Sequence, residues 1–183
     1  MSSSDVAALI LAGGKATRFG GIAKHALVID GRTILERQLA VLTTRVAEVV
    51  ISAPLEVPGF RTVRDVVGEG PLAGIAAGLA AITQPWTLVL AGDMPFITPA
   101  VIDSLIAARA PDLDAVGLEV RGLPEPLCCL LHTRTRAAVE RRLAAGRFKA
   151  SGLLTDEGLS VRWLTDADPA ALRNLNSPSD IPD

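Results

Sequence analysis

The sequence lacks tyrosine altogether, and two Trp and four Phe are its only other large aromatic side chains. With so few rings, stacking platforms for single-stranded nucleic acid are scarce. It also lacks any excess of positive charge: 18 Lys and Arg stand against 20 Asp and Glu, a formal net charge of −2. A broad basic surface for nucleic acid or acidic lipid is therefore excluded. Its two cysteines, Cys128 and Cys129, are adjacent. Neighbours on a strand point to opposite faces, so no framework of disulfides can form, and a reduced, cytoplasmic setting is expected. His25 and His132 are isolated, without metal-ligand spacing, and read as core or surface residues. The first apolar run, Val6 to Ala12, falls far short of the roughly 20 residues a membrane helix needs, and no basic-then-apolar leader precedes it.

What remains is ample for a core. The chain has 183 residues, of which 49% are hydrophobic and 21% charged. That length fits one domain of roughly 100–200 residues, and neither a linker nor a fixed-period repeat interrupts it. Residues 1–5 are expected to fray. Val6 to Leu11 and Trp86 to Leu90 are short, largely apolar runs, as for strands buried on both faces. Glu48–Ser52, Thr62–Arg64, Ala115–Glu119, Leu127–Leu131 and Val161–Leu164 read as further strands. Helices are predicted from Thr33, which opens a capping box with Glu36, over 71–82 with Pro71 at the first helical position, over 99–108 and over 133–145. Asp30-Gly31 and 121–124 read as turns. Strands alternating with helices of this length imply an α/β fold: a doubly wound, mostly parallel sheet with helices on both faces. The stretch around Gly122 marks one antiparallel departure.

Two places carry chemistry. The first is the loop after the opening strand, residues 11–24, Leu-Ala-Gly-Gly-Lys-Ala-Thr-Arg-Phe-Gly-Gly-Ile-Ala-Lys. From Val6 to Ile29 three basic residues occur and no carboxylate. Glycines let backbone N–H groups approach an anion, and Lys and Arg supply charge. Such strand ends are where α/β sheets bind ligands, so a polyphosphate cradle is favoured over solvated surface. The spacing is that of neither the common phosphate loop nor the dinucleotide fingerprint. The second place is Asp93, directly after the strand that begins at Trp86. A lone carboxylate at such a strand end suits Mg²⁺, which is held by one or two carboxylates plus substrate phosphates; as a turn residue it would equally suit Gly-Asp-Met-Pro. Asp65 is a lesser candidate of the same kind. Gly68, Gly70 and Gly74 read as a tight turn whose helix packs closely through Gly74 and Gly78. The Arg-rich helix reads as a solvated face, and the cysteines as packing residues.

Leu11-Ala12-Gly13-Gly14, Arg18, Gly20-Gly21 and Lys24 together resemble the signature loop of the sugar-nucleotide-type nucleotidyltransferases. More closely, the chain resembles the molybdenum cofactor guanylyltransferases. Gly70-Pro71-Leu72-Ala73-Gly74, Gly92-Asp93-Met94-Pro95-Phe96, Pro124-Glu125-Pro126-Leu127 and Asn174-Leu175-Asn176-Ser177-Pro178 match further blocks of that family, in order, over almost the whole chain.

The resemblance implies a Rossmann-like fold and transfer of GMP from GTP to the terminal phosphate of molybdopterin, with release of pyrophosphate and Mg²⁺ as cofactor. Leu11, Ala12, Gly13 and Gly14 would border the guanine nucleotide, Lys24 and Arg18 would face its phosphates, Asp65 would lie at the nucleotide site and Asp93 would ligate Mg²⁺. Asn174 and Asn176 would lie on the pterin side. Partners would be GTP and molybdopterin or its molybdenum form, in a monomer with transient contact with other cofactor-biosynthesis proteins. Leu-Ala-Gly-Gly rather than Leu-Ala-Ala-Gly favours the guanine branch over a sister enzyme using CTP; another phosphorylated acceptor, such as cobinamide phosphate, and a non-catalytic nucleotide-binding regulator stay open. Two departures stand out: Ala23 where the family commonly has Asp, and Ser52 where a nucleotide-contacting Asn is common.

Overall fold

A computed structural model describes residues 3–13, 24–54, 56–64, 70–175 and 180. Strands β1 (Val6–Leu11), β4 (Glu48–Ser52), β5 (Arg61–Val63), β6 (Trp86–Ala91), β7 (Ala115–Val120), β8 (Leu123–His132) and β9 (Val161–Leu164) form one sheet in the order β5-β4-β1-β6-β8-β7-β9. β8 runs antiparallel to both of its neighbours; the other pairings are parallel. A small hairpin of β2 (Val28–Ile29) and β3 (Arg32–Thr33) turns at Asp30-Gly31.

The apolar runs explain the layering. Val6, Ala8 and Ile10 face one core, with Trp86, Leu88 and Leu90 beside them, under helices α1 (Ile34–Leu42) and α3 (Pro99–Ala107). Ala7, Leu9 and Val89 face the other, under α2 (Pro71–Ala81), α4 (Arg136–Ala144) and the short α5 (Leu153–Asp156). Burying side chains such as Leu9 and Ile10 completely contributes about 1.5–3 kcal/mol each. α2 lies close to β1 because Gly78 has no side chain; a Cβ there would run into Leu9. The doubly wound architecture is thus as expected, and Cys128 and Cys129 fall on opposite faces in the two cores. Burial raises both thiols, Cys128 well above its ordinary range and Cys129 to about 12, so both are packing groups. No helix among the described residues is long and apolar enough to cross a membrane.

The structure corrects several details. Residues 3–5 form a 3₁₀ turn leading into β1. β8 begins at Leu123, so the turn is only Arg121-Gly122, both at positive φ. Prolines 124 and 126 suit this early part of β8, which runs beyond its last pair with β6, Cys128 opposite Leu90, as an edge segment. The helix expected over 133–145 opens as a 3₁₀ turn, with His132 Nδ1 accepting from the Arg134 N–H, before α4 proper. Arg142 is not on a solvated face. Its side chain is 5% exposed, and it donates to the carbonyls of Ser151 and Gly152 and pairs with Glu157 at 3.1 Å.

α1 starts where the capping box places it: the Thr33 hydroxyl accepts from the Glu36 N–H, and the Glu36 carboxylate accepts from the Thr33 N–H. Ile34 then packs with Leu27, Ile29 and Leu175 in a small separate cluster. That cluster anchors the late segment beside the loop after β6, where the Leu175 N–H donates to the Asp93 carbonyl at 2.9 Å.

Candidate active site

β1 and β6 are neighbours, and the chain leaves β1 to one side, for β4, and returns across it to β6 on the other. The crevice beyond the carboxyl ends of such strands is where doubly wound sheets bind ligands. The ends are held tightly together here. The Ala12 N–H donates to the Ser52 carbonyl at 2.8 Å, and the Gly92 N–H to the Leu11 carbonyl at 3.0 Å. Gly92 must be small, because a Cβ would sit 2.7 Å from the Leu11 carbonyl oxygen.

Over these ends lies a cleft of about 360 Å³, lined by Leu11, Ala12, Gly13, Lys24, His25, Ser52, Gly70, Pro71, Gly74, Ala91, Gly92, Asp93 and Leu127. Lys24 and Asp93 meet across it. The Lys24 Nζ lies 2.8 Å from an Asp93 carboxylate oxygen, with the two side chains 20% and 19% exposed. The His25 ring Nδ1 lies 3.1 Å from the Ala12 carbonyl and ties the segment after the loop to the β1 exit. On the far wall, the first turn of α2 contributes Gly70, Pro71 and Gly74. Gly70 sits at φ 120°, and Leu72 donates its N–H to the Phe148 carbonyl at 3.2 Å. A helix start carries partial positive charge and favours an anion.

A second carboxylate, Glu125, sits close enough to Asp93 to feel its charge. Burial holds Glu125 above the ordinary carboxylate range, with Asp93 adding to the rise and the Leu127 N–H, which its Oε1 accepts at 3.2 Å, opposing it. Among the described residues no group of three or more His, Cys, Asp or Glu could hold a metal ion by itself.

Of the residues singled out in the sequence, the structure brings Leu11, Ala12, Gly13, Lys24 and Asp93 together in one cleft. Gly14, Arg18, Asp65 and Asn176 lie outside the described residues. Asn174 is not among the cleft-lining residues; its Oδ1 is buried without a hydrogen-bond partner, next to the Leu175 N–H that holds the Asp93 carbonyl. Gly70 and Gly74 do more than shape a tight turn, since both line the cleft. His25, read as a core or surface residue, lines it too, as do Ser52 and Leu127. The only sequence signal for these was position: His25 follows Lys24, Ser52 ends a strand, and Leu127 closes the Pro-Glu-Pro-Leu block.

Residues 8–163 match the MobA-like NTP transferase domain. A molybdenum cofactor guanylyltransferase from Desulfosudis oleivorans is 32% identical, over 96% of this chain and 92% of its own length. Another so named, from Pseudomonas putida, is 30% identical over 96% and 95%. Among solved structures, molybdopterin-guanine dinucleotide biosynthesis protein A from Archaeoglobus fulgidus superposes with a TM-score of 0.77, at 24% identity, over 96% of this chain and 94% of that one. At that identity the superposition speaks for the fold.

Proposed function

The chain belongs to the MobA-like NTP transferase family, and from that premise we propose that it transfers GMP from GTP to the terminal phosphate of molybdopterin, giving the guanine dinucleotide cofactor and pyrophosphate, with Mg²⁺ as cofactor. The observation that carries the reading is the Lys24–Asp93 pair, 2.8 Å apart over the glycine-bearing exits of β1 and β6. A cation and an acid so placed suit a triphosphate and a divalent ion. The donor set fits Mg²⁺: Asp93 offers hard oxygen at the cleft, and phosphate oxygens would complete a shell that the protein does not fill. When bound, the ion supplies charge neutralisation at the phosphates.

The protein's own work is positional. The acceptor phosphate is anionic near neutral pH, so its oxygen attacks the α-phosphorus without a general base, and the bond to the β-phosphate oxygen breaks. Lys24, the Gly13 backbone and the start of α2 would face the phosphates, while the β1 and β6 exits would fix the two reactants in one crevice. Placing two anions and offsetting the charge on the leaving group is what phosphoryl transfer demands.

Incubation with Mg-GTP and molybdopterin should release pyrophosphate, and Asp93→Ala should abolish release while circular dichroism shows the fold unchanged. Thermal shifts with GTP, CTP and ATP in Mg²⁺ should be largest for GTP. Greater stabilisation by CTP would move the substrate to the cytidine branch. Tight GTP binding with no pyrophosphate released would make the chain a nucleotide-binding regulator.

A further inference from the structure

We propose that Gln38 is a positioning residue for Asp93: its buried side-chain amide, donated from α1, fixes the turn that carries the cleft carboxylate. The inference rests on the nucleotide-site reading given above. Gln38 is completely buried, on a helix whose other fully buried side chains are Ile34 and Leu42. Its Nε2 donates to the Ala91 carbonyl at 2.7 Å and to the Met94 carbonyl at 3.1 Å. Those two carbonyls bracket Gly92 and Asp93.

Among the described residues, the other bonds to this turn's backbone come from backbone, and Lys24 pairs with the Asp93 carboxylate itself. The Gly92 N–H donates to the Leu11 carbonyl, and the Asp93 carbonyl accepts from the Leu175 N–H. Gln38 is therefore the clamp that reaches the turn from the helix layer, and it holds both ends at once. The other half of its amide is unused: Oε1 is buried with no hydrogen-bond partner. A buried acceptor left unpaired is destabilising, and an apolar side chain of the same size would avoid that cost. The residue's advantage lies in its donors, and its donors serve only the turn. Asp93 has a short side chain, so its carboxylate moves with the backbone that carries it. Outer groups that orient a metal-facing carboxylate commonly matter for metal affinity and turnover.

The test uses Gln38→Met, which keeps the volume and removes both donors, and Gln38→Asn, which keeps the donors but withdraws them by one carbon. Leu42→Val, in the same helix and fully buried, serves as a packing control. Binding of a fluorescent GTP analogue is titrated with Mg²⁺, and kcat and KM for GTP are measured at saturating Mg²⁺. Gln38→Met should raise the Mg²⁺ midpoint and lower kcat, each by about tenfold, with KM for GTP nearly unchanged; Gln38→Asn should shift both the same way by less. Leu42→Val should lower the melting temperature without moving the Mg²⁺ midpoint. Wild-type values in both Gln38 variants, or an equal midpoint shift in Leu42→Val, would overturn the inference while leaving the site reading intact. Absence of Mg²⁺-dependent GTP binding in the wild type would overturn both.

Discussion

Gly92→Ala tests how closely the two strand exits must approach. The added Cβ would lie 2.7 Å from the Leu11 carbonyl oxygen and 3.1 Å from the Ala12 Cα, whereas ordinary contact begins at 3.4 Å. Both obstacles are backbone, so no rotamer change relieves them, and the exits must part by about 0.7 Å at the tighter contact. Overpacking of this kind costs about 1–3 kcal/mol. The alanine regains about 0.4–1 kcal/mol by restricting the unfolded chain, leaving a net loss of up to about 2.6 kcal/mol and about 1.3 kcal/mol at mid-range. For a chain of this size the mid-range loss lowers Tm by roughly 3–5 °C. Activity should suffer more, because the movement separates the Leu11–Gly13 wall from Asp93, and a misplacement near 1 Å can cost about 100-fold. Differential scanning fluorimetry and steady-state pyrophosphate release on one preparation give both numbers. A variant with Tm within about 1 °C and kcat within about twofold of wild type would refute the reasoning.

Two further outcomes follow from groups away from the cleft. Glu157, 7% exposed, receives Arg142 at 3.1 Å and Arg147 at 2.9 Å; Glu157→Ala leaves the buried Arg142 guanidinium with the Ser151 and Gly152 carbonyls and the exposed Asp156 carboxylate, 3.5 Å away, and should cost about 1.5–3 kcal/mol, read as a fall in urea midpoint, and a loss under about 1 kcal/mol would show the cluster to be solvated. Burial, aided by the Arg134 charge and opposed by Asp114, holds His132 below its ordinary 6.5; the unfolded chain then takes up a proton first as pH falls, so this contribution is complete above 6.5 and lost below it through the lowered folded value. Urea midpoints measured down to about pH 5 should fall less steeply in His132→Asn, and parallel slopes would dismiss the effect.

What the sequence made legible was local. Glu48–Ser52 and Val161–Leu164 are strands at the residues where their patterns place them, and the Thr33 capping box opens α1 as its spacing requires. The start of β8 was hidden by Pro124 and Pro126, which argue against a strand unless one side is known to lack a partner. α5 is four residues long after Gly152 at φ 85°, too short for periodicity to register. Burial of Arg142 was equally invisible, because its partner Glu157 is 15 residues away and joins it only once α4 and α5 dock. The cleft divides the same way: its glycines and charges stood out as motifs, whereas Ser52, His25 and Leu127 join it through sheet order, which no window of sequence contains. Gln38 is the extreme case, a polar residue in a helical pattern whose use appears only with the carbonyls it meets.

The charge pair in the cleft has a consequence for which ligands the proposed site accepts. Lys24 and Asp93 neutralise each other at 2.8 Å, each about four-fifths shielded from water. A ligand of one sign must compete with that pairing. An anion that draws Lys24 away leaves Asp93 facing added negative charge, and a cation that draws Asp93 away leaves Lys24 facing added positive charge. Either arrangement holds a partly shielded charge against its like, and breaking a shielded pair from one side is the expensive way to break it. A triphosphate that carries its own divalent ion presents both signs together, so the pair can part with each member still compensated. The same pairing would thereby make the proposed site favour the metal–nucleotide complex over either component alone.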